Sequence, residues 1–378
     1  MRTSVLTLRR RDTGRTALLV VFAIASTLML ALFALLANAS FLAMTACAQP
    51  AAERFVLRGE RLEICDLVGT VHIVQGTGER AEVLVTRGGR DGGRLRVKQD
   101  EHGGGSRLSV LFPDRRVVYP RLHGFGSSTI LVTEDGCFPE GHGFVVGNRR
   151  VTVAGTGFGM QAWADLEVRL PRGHRTTLHL GVGGVSALGV EGDLTLDVAA
   201  ASVEAERTRG SLLVDTGSGS VVLHGNQGEI SVDTGSGSVE ASDVRGGRLK
   251  VDTGSGGVTA RNVEAEDLLV DTGSGGVECE DVRSGSISID TGSGSVHVGL
   301  LGAPRSLLVD TGSGGVTILG PADLGAEVEL ETGSGHIETD YTMTVVSKDQ
   351  GYLQGTIGDG QGRIKVDTGS GGVTLRRR

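Results

Sequence analysis

The chain has 378 residues, of which 62 are glycine and only 3% are aromatic. Glycine weakens helix interiors, whereas short aliphatic strands joined by Gly/Ser turns accommodate it, so this composition predicts an all-β protein with an aliphatic core and disfavours a helical one. The net charge of −8 at pH 7 disfavours a nucleic-acid-binding protein.

Residues 1–48 predict export through a signal peptide or an N-terminal membrane anchor. The basic stretch Arg9–Arg11 and Arg15 precede an uncharged apolar run from Ala17 to Ala37, which is the layout of a secretory leader. Three fates remain open. The run is long enough to stay as a membrane anchor, Ala37–Ala39 fits a signal peptidase site, and the segment before Cys47 resembles a lipidation box. In each case the rest of the chain lies outside the cytoplasm.

Residues 49–174 contain strand-like segments, such as Gly69–Val74 and Ala164–Pro171, without a fixed period. We expect an irregular β-rich region that caps the regular part of the chain, because an open end of stacked strands would expose unpaired backbone groups. Cys65 and Cys137 lie in this region. They either form a disulfide in an oxidising compartment or remain buried thiols.

Residues 175–378 repeat the motif VDTGSG or a close variant, with its acid at positions 215, 233, 252, 271, 290, 310, 331 and 367. Aliphatic residues three places and one place before each acid alternate with variable residues, which indicates strands with one buried face. A single repeat cannot bury that face alone, so the repeats must stack as a parallel β-solenoid with coils of 18–21 residues. The final step of 36 residues predicts two coils, one without the motif near residue 349, giving eleven coils from register 179 onward.

Two expectations concern the turn within each repeat. Its glycines are expected to supply positive φ angles, and each motif Asp is expected to accept hydrogen bonds from the N–H groups of the turn that follows it. Cys279 occupies an inward position and is expected to be a core residue rather than a nucleophile.

The alternation directs the motif acids outward, one above the other along the solenoid. Such a column could hold cations, most favourably weakly bound Ca²⁺, because Ca²⁺ takes carboxylate and hydroxyl oxygens; no other cofactor is predicted. An aspartic protease site is disfavoured, since it needs two carboxylates face to face, and we predict no catalytic residue. The candidate metal-binding residues are Asp215, Asp233, Asp252, Asp271, Asp290 and Asp310.

The VDTGSGSV and VDTGSGGV repeats, the segment Ala162–Gly173 and the closing Gly355–Gly360 resemble the putative adhesin family of bacterial β-helical domains of unknown function. The resemblance implies adhesion and offers no catalytic residues to transfer. We therefore expect an exported, non-enzymatic adhesin or envelope scaffold, periplasmic or on the cell surface. It would present repetitive faces to an unidentified envelope ligand and contact the membrane through its N-terminus. The alternatives are a β-helix enzyme acting on envelope polysaccharide and a self-assembling structural solenoid.

Overall fold

The computed structural model describes residues 52–102, 104–122, 126–138 and 148–378, which belong to one compact unit. The predicted leader, with the candidate lipidation residue Cys47, lies outside the described residues. Across the described ranges the only helix is a 3₁₀ turn, Gly92–Arg94. Nothing helical in this part of the chain is long and apolar enough to cross a bilayer.

The first part of the chain forms strands of 3 to 15 residues. They are β1 (Glu53–Leu57), β2 (Arg61–Gln75), β3 (Ala81–Gly88), β4 (Arg96–His102), β5 (Gly105–Leu111), β6 (Arg116–Val118), β7 (Ser127–Val132), β8 (Arg149–Ala154) and β9 (Trp163–Leu170). Of these, β6, β8 and β7 form a small separate sheet.

The repeats supply the remaining strands. They are β10 (His174–Leu188), β11 (Gly192–Glu206), β12 (Leu212–Thr216), β13 (Val221–His224), β14 (Ile230–Thr234), β15 (Val239–Ser242), β16 (Arg245–Thr253), β17 (Val258–Thr272), β18 (Val277–Thr291), β19 (Val296–Leu300), β20 (Ser306–Thr311), β21 (Val316–Gly320), β22 (Ala326–Thr332), β23 (Ile337–Thr339), β24 (Met343–Asp349), β25 (Tyr352–Ile357), β26 (Gly362–Thr368) and β27 (Val373–Arg377).

Successive coils pair in parallel along two ladders, one on each side of the TGSG turn. The first ladder runs β4-β5-β2-β10-β11-β12-β14-β16-β17-β18-β20-β26-β22-β25-β24. The second ladder runs β1-β3-β9-β2-β10-β11-β13-β15-β17-β18-β19-β21-β27-β23. This arrangement confirms the predicted all-β parallel solenoid.

The stack extends into the region that was expected to be irregular. Strand β2 pairs with β10 in parallel register from Arg61↔Arg175 to Val74↔Leu188, so it forms a full coil in line with the repeats. Beyond β2, the antiparallel strands β4 and β1 close the two ladders at this end. The two ladders therefore end in antiparallel strand pairs, β4 with β5 and β1 with β3, within the region 49–174.

The last coil does not lie at the end of the stack. Strand β26 pairs with β20 on one side and with β22 on the other, and β27 lies in the same way between β21 and β23. The predicted motif-free coil near residue 349 is wrong, because β24 and β25 form an antiparallel hairpin on β22. In chain order, the outermost coil (β22 and β23) and the hairpin therefore come before the coil of β26 and β27. That last coil lies between the outermost coil and the coil of β20 and β21.

The inward positions form a continuous aliphatic core. Leu249, Leu268 and Ile287 are each fully buried, and Cys279 is buried beside Ala260 and Val298, as expected for a core residue. Burying an aliphatic side chain contributes about 1.5–3 kcal/mol. Each coil provides several such side chains only when a neighbouring coil covers them, so the stability comes from stacking.

The motif glycines are required for a reason other than the one expected. Within the described residues, positive φ angles occur at glycines such as Gly210 and Gly228, but at no glycine of a TGSG turn. Instead, a Cβ atom at Gly256 would lie 1.8 Å from the carbonyl oxygen of Gly237 in the preceding coil. The same 1.8 Å approach recurs between Gly275 and Gly256. Glycine is therefore needed because the coils approach closely, and the positive-φ explanation is wrong for this turn.

This close approach predicts different outcomes for two adjacent substitutions. Gly256→Ala should destabilise the fold by about 2–3 kcal/mol or more, because the clash is with backbone that cannot move without opening the ladder. Gly257→Ala is the matched control. Its Cβ would meet nothing closer than the Gly276 carbonyl oxygen at 3.5 Å, so it should change stability by less than about 0.5 kcal/mol. Denaturant unfolding of both variants measures the difference, and equal losses would contradict the explanation.

Candidate functional site

The motif acids form a single column on the outward side of the first ladder. Parallel register places each acid directly opposite the acid of the next coil, and neighbouring strands lie about 4.8 Å apart. The order in space follows the stack rather than the chain: Asp197, Asp215, Asp233, Asp252, Asp271, Asp290, Asp310, Asp367 and Glu331. We call this set the acid column. It contains all six predicted candidate residues and is extended by three further acids.

The acid column faces solvent and is bordered by hydroxyl groups. Its members are exposed or half-buried. The serine of each TGSG turn lies three residues beyond its acid and is also exposed, in a parallel row of Ser218, Ser236, Ser255, Ser274, Ser293, Ser313, Ser370 and Ser334. This face therefore offers repeated carboxylate and hydroxyl oxygens.

The acids do not stabilise the turns as predicted. From the repeat of Thr234 onward, the N–H of the second turn glycine is instead bound by the buried threonine that follows the acid. The N–H of Gly256 donates to Thr253 Oγ1 at 3.0 Å, and the Thr253 hydroxyl donates to the Gly237 carbonyl of the preceding coil at 3.1 Å. Thr272 makes the same pair of bonds, each 3.0 Å long. Threonine thus joins each turn to the coil before it, and the Asx-type interpretation is wrong.

The acid column is left with little internal compensation. Among the described residues, no side-chain hydrogen bond or ion pair involves the aspartates at 215, 233, 252, 271, 290, 310 and 367 or Glu331. At about 5 Å in water, two carboxylates repel by roughly 0.8 kcal/mol. Residues 211–340 also carry 21 acidic and 6 basic side chains, a net charge of −15. This face therefore favours the uptake of cations or cationic groups.

Two members have a raised pKa, for which partial burial is the main cause and the charge of the neighbouring acids the second. Partial burial, with the charges of Asp197 and Asp233, raises the pKa of Asp215 above its usual value. Partial burial, with the charges of Asp271 and Asp310, likewise raises the pKa of Asp290. The ionised column is consequently a destabilising element that a bound cation would relieve.

At its N-terminal end the acid column meets a different group of side chains. His179 occupies the register position next to Asp197, and its Nδ1 lies 2.8 Å from Asp197 Oδ2. The next position in the ladder is Cys65. Cys65 and Cys137 are joined by a disulfide with a Cα–Cα distance of 5.0 Å, which decides between the two alternatives for this pair. Glu63 and His179 line an open cleft together with Thr177 and Thr195.

Two other titratable groups are buried. Burial raises the pKa of the Cys279 thiol to about 12, which makes it unreactive. Asp66 occupies the inward position opposite Leu180, and burial raises its pKa well above the usual range. Its Oδ2 has no hydrogen-bond partner. The neutral acid is therefore favoured at this position.

The repeat pattern in the sequence did not predict that His179 lies beside Cys65. The signal was present, because Leu62–Val74 has the same spacing of apolar residues and a glycine as β10. The 100 or so residues that separate β2 from β10 hid it, since a periodicity search compares only neighbouring repeats. Aligning β2 on the repeat template would have placed Cys65 beside His179.

The raised pKa values predict that Asp290→Asn increases thermal stability at pH 7 and low ionic strength. The folded-state pKa is above the unfolded value, so ionisation disfavours the folded state. This penalty is absent below the unfolded value of about 3.8 and is complete above the folded pKa. The gain should therefore disappear at acid pH, and it should shrink in about 1 M salt, where the screening length is about 3 Å.

Asp193→Asn provides the matched control for this measurement. Asp193 is also exposed on the solenoid, but it lies 3.6 Å from the Arg175 guanidinium instead of beside acids. Its neutralisation removes an attraction and should give no increase in the thermal midpoint. A gain in both variants, or in neither, would contradict the assignment of repulsion to the acid column.

Two solved structures are similar to this chain over most of its length. A crystal structure of a putative cell adhesion protein from Clostridium sporogenes is 13% identical, with a TM-score of 0.22, and the match covers 86% of this chain and 100% of that one. A putative adhesin from Bacteroides fragilis is 10% identical, with a TM-score of 0.30, and the match covers 86% of this chain and 96% of that one. Among curated proteins, none matches the chain.

The sequence profile of one family matches residues 70–376, which is most of the chain and includes both the N-terminal strands and the repeats. The chain therefore belongs to the Toastrack DUF4097 family.

Proposed function

We propose that this protein is an exported, non-enzymatic adhesin-like scaffold of the bacterial cell envelope, and that its acid column is the binding face. The observation that carries the proposal is the unbroken row of nine in-register acids, from Asp197 to Glu331 in stack order. A rigid face with one repeating chemical unit suits a ligand that is itself repetitive, because each added unit increases the total affinity without new contact types.

The sequence outside the described residues supports the location. The basic and apolar character of residues 1–48 fits export with an N-terminal tether, and the repeats would then lie outside the cytoplasm. The resemblance of the repeats to the putative adhesin family supports a surface role.

Calcium is the cation that this face suits best. Ca²⁺ binds oxygen ligands at about 2.3–2.6 Å, so two carboxylates one strand spacing apart can each offer an oxygen to the same ion. The neighbouring serine hydroxyls and bound water would complete the coordination. Exposed sites of this kind bind in the range of about 0.1–1 mM, as in extracellular modules. Calcium would relieve the repulsion within the acid column and bridge it to an anionic envelope polymer.

Self-assembly of the solenoid end to end is less favoured. The first ladder ends in the antiparallel strands β4 and β24, and β24 carries the charged residues Lys348 and Asp349. Charged antiparallel edges of this kind hinder the addition of another parallel strand.

The proposal predicts a calcium-selective stabilisation of the full-length chain. The thermal midpoint should rise when Ca²⁺ is titrated from EDTA to about 10 mM, with Mg²⁺ at equal ionic strength giving a smaller rise, because Mg²⁺ dehydrates reluctantly. The combined variant Asp252→Asn, Asp271→Asn and Asp290→Asn should give a smaller calcium response, because it removes the three central acids and leaves three at each end of the column. Co-sedimentation with purified bacterial envelope fragments should show the same calcium dependence.

A matched variant removes three charges away from the acid column: Glu240→Gln, Glu264→Gln and Glu266→Gln. It should keep the calcium response and the co-sedimentation. Equal responses to Ca²⁺ and Mg²⁺, or a response that the three Asp→Asn changes do not reduce, would overturn the calcium site. Calcium binding without calcium-dependent co-sedimentation would overturn the adhesin role.

A further inference from the structure

Four metal-ligating side chains converge where the acid column ends at the N-terminal strands: Glu63, Cys65, Cys137 and His179. The ligand atoms of Glu63, Cys65 and Cys137 all lie within 4.8 Å of one another. Glu63 Oε1 is 3.9 Å from Cys65 Sγ, 3.4 Å from Cys137 Sγ and 3.9 Å from His179 Nε2. The two sulfurs and the Glu63 oxygen therefore form one cluster, and the His179 nitrogen lies beside it, against the same Glu63 oxygen.

The histidine is oriented as a metal ligand would be. Its Nδ1 lies 2.8 Å from Asp197 Oδ2, and this carboxylate favours the tautomer that carries the proton on Nδ1. The Nε2 atom, on the other side of the ring, lies 3.9 Å from Glu63 Oε1. Metal-binding histidines characteristically donate their second ring N–H to a carboxylate in this manner, which fixes the ring and strengthens the ligand.

The two oxygens of the Glu63 carboxylate make different contacts. Its Oε2 lies 2.9 Å from Arg107 Nε, and Arg107 also pairs with Asp135 at 2.6 Å. This contact holds Glu63 so that Oε1 is the oxygen directed at the sulfurs. Arg107 therefore acts as a positioning residue rather than as a ligand.

The cluster is mostly buried, but a cleft connects it to solvent. Cys65 and Cys137 are buried, and only 14% of the His179 side chain is exposed. The Phe138 ring packs edge-on against His179, with ring centroids 6.1 Å apart. Glu63 and His179 line the open cleft described above, so a small ion has a path from solvent to the cluster.

We propose that these four residues form a binding site for Zn²⁺ that opens when the Cys65–Cys137 disulfide is reduced. A dithiol reductant supplies two electrons and two protons: the S–S bond breaks, two thiols form, and the dithiol becomes a disulfide. Zn²⁺ then replaces the two thiol protons, which pass to solvent, and binds both thiolates, His179 Nε2 and Glu63 Oε1. Four ligands with two thiolates match the preference of zinc. The two cysteine sulfurs therefore either bond to each other or bind the metal, and the two states exclude each other.

This site differs in chemistry from the acid column. Thiolate and imidazole ligands select zinc, whereas carboxylate and hydroxyl oxygens suit calcium. The two sites share Asp197, which belongs to the acid column and orients His179.

The test compares oxidised and reduced full-length chain without any substitution. After reduction with a phosphine, which leaves no thiol to compete for metal, the chain should bind one Zn²⁺ in competition with a chromophoric chelator under anaerobic conditions. The oxidised chain should bind none at this site. Co²⁺ in place of Zn²⁺ should give the intense near-ultraviolet charge-transfer absorption of cobalt thiolates in the reduced form alone.

Variants identify the ligands. Cys65→Ser and His179→Ala should each abolish stoichiometric binding, and Asp197→Asn should weaken it by about 10-fold to 100-fold, as expected for the partner of a ligating histidine. The control is Cys47→Ser with Cys279→Ala, which removes the other two cysteines. Ala260 occupies the position of Cys279 in the neighbouring coil, so the fold should tolerate this change. The control should still bind one zinc ion when reduced.

Three results would overturn the proposal. The first is equal zinc binding by the oxidised and reduced chains, and the second is loss of binding in the control variant. The third is reduced protein that remains folded by circular dichroism but binds no zinc. The first and third comparisons use the unsubstituted chain, so they test the proposal even if one of the variants fails to fold.

Discussion

The close approach of successive coils at the TGSG turn is the constraint on which the rest of the structure depends. A carbonyl oxygen of one coil lies where the Cβ atom of the next would be, as between Gly237 and Gly256. Only glycine allows this distance, and a buried threonine such as Thr253 then bonds both to its own turn and to the preceding coil. Together these contacts hold the strands at one spacing along the whole stack, so every outward side chain falls into a column.

The acid column follows from that regularity, and so does its energetic disadvantage. Side chains that repeat at one strand spacing bring like charges together, which is reflected in the raised pKa values of Asp215 and Asp290. Buried threonines and aliphatic residues stabilise the same coils, so the fold can tolerate this repulsion. A surface that is repulsive without a ligand and regular in spacing is well suited to binding. At the N-terminal end of the acid column, His179 and the Cys65–Cys137 pair replace the carboxylates, which changes the chemistry from hard oxygen ligands to softer sulfur and nitrogen.

The alternation of residues predicted the inward and outward positions well, because burial on one face of a strand leaves a period of two that needs no tertiary information. Two parts could not be predicted in this way. The reason for the motif glycines depends on the distance between coils, which no single repeat contains. The order of the last coils depends on the hairpin of β24 and β25, since β25 pairs antiparallel with the outer edge of β22 and the place beside β20 is left to β26. The partnership of His179 with Cys65 was hidden because β2 and β10 are adjacent in space but far apart in the chain.

The order of the acids in the column follows from the position of the last coil between β20 and β22, and cysteine cross-linking tests this placement most directly. Leu308 pairs with Lys365, and Lys365 pairs with Glu329, so Leu308 and Glu329 lie two strands apart. Leu308→Cys with Lys365→Cys should form a disulfide under mild oxidation, because neighbouring strands bring Cα atoms to about 5 Å. Leu308→Cys with Glu329→Cys should not, since about 10 Å exceeds the reach of the bond. Peptide mapping that found the second cross-link and not the first would show coils stacked in chain order and would contradict the column described here.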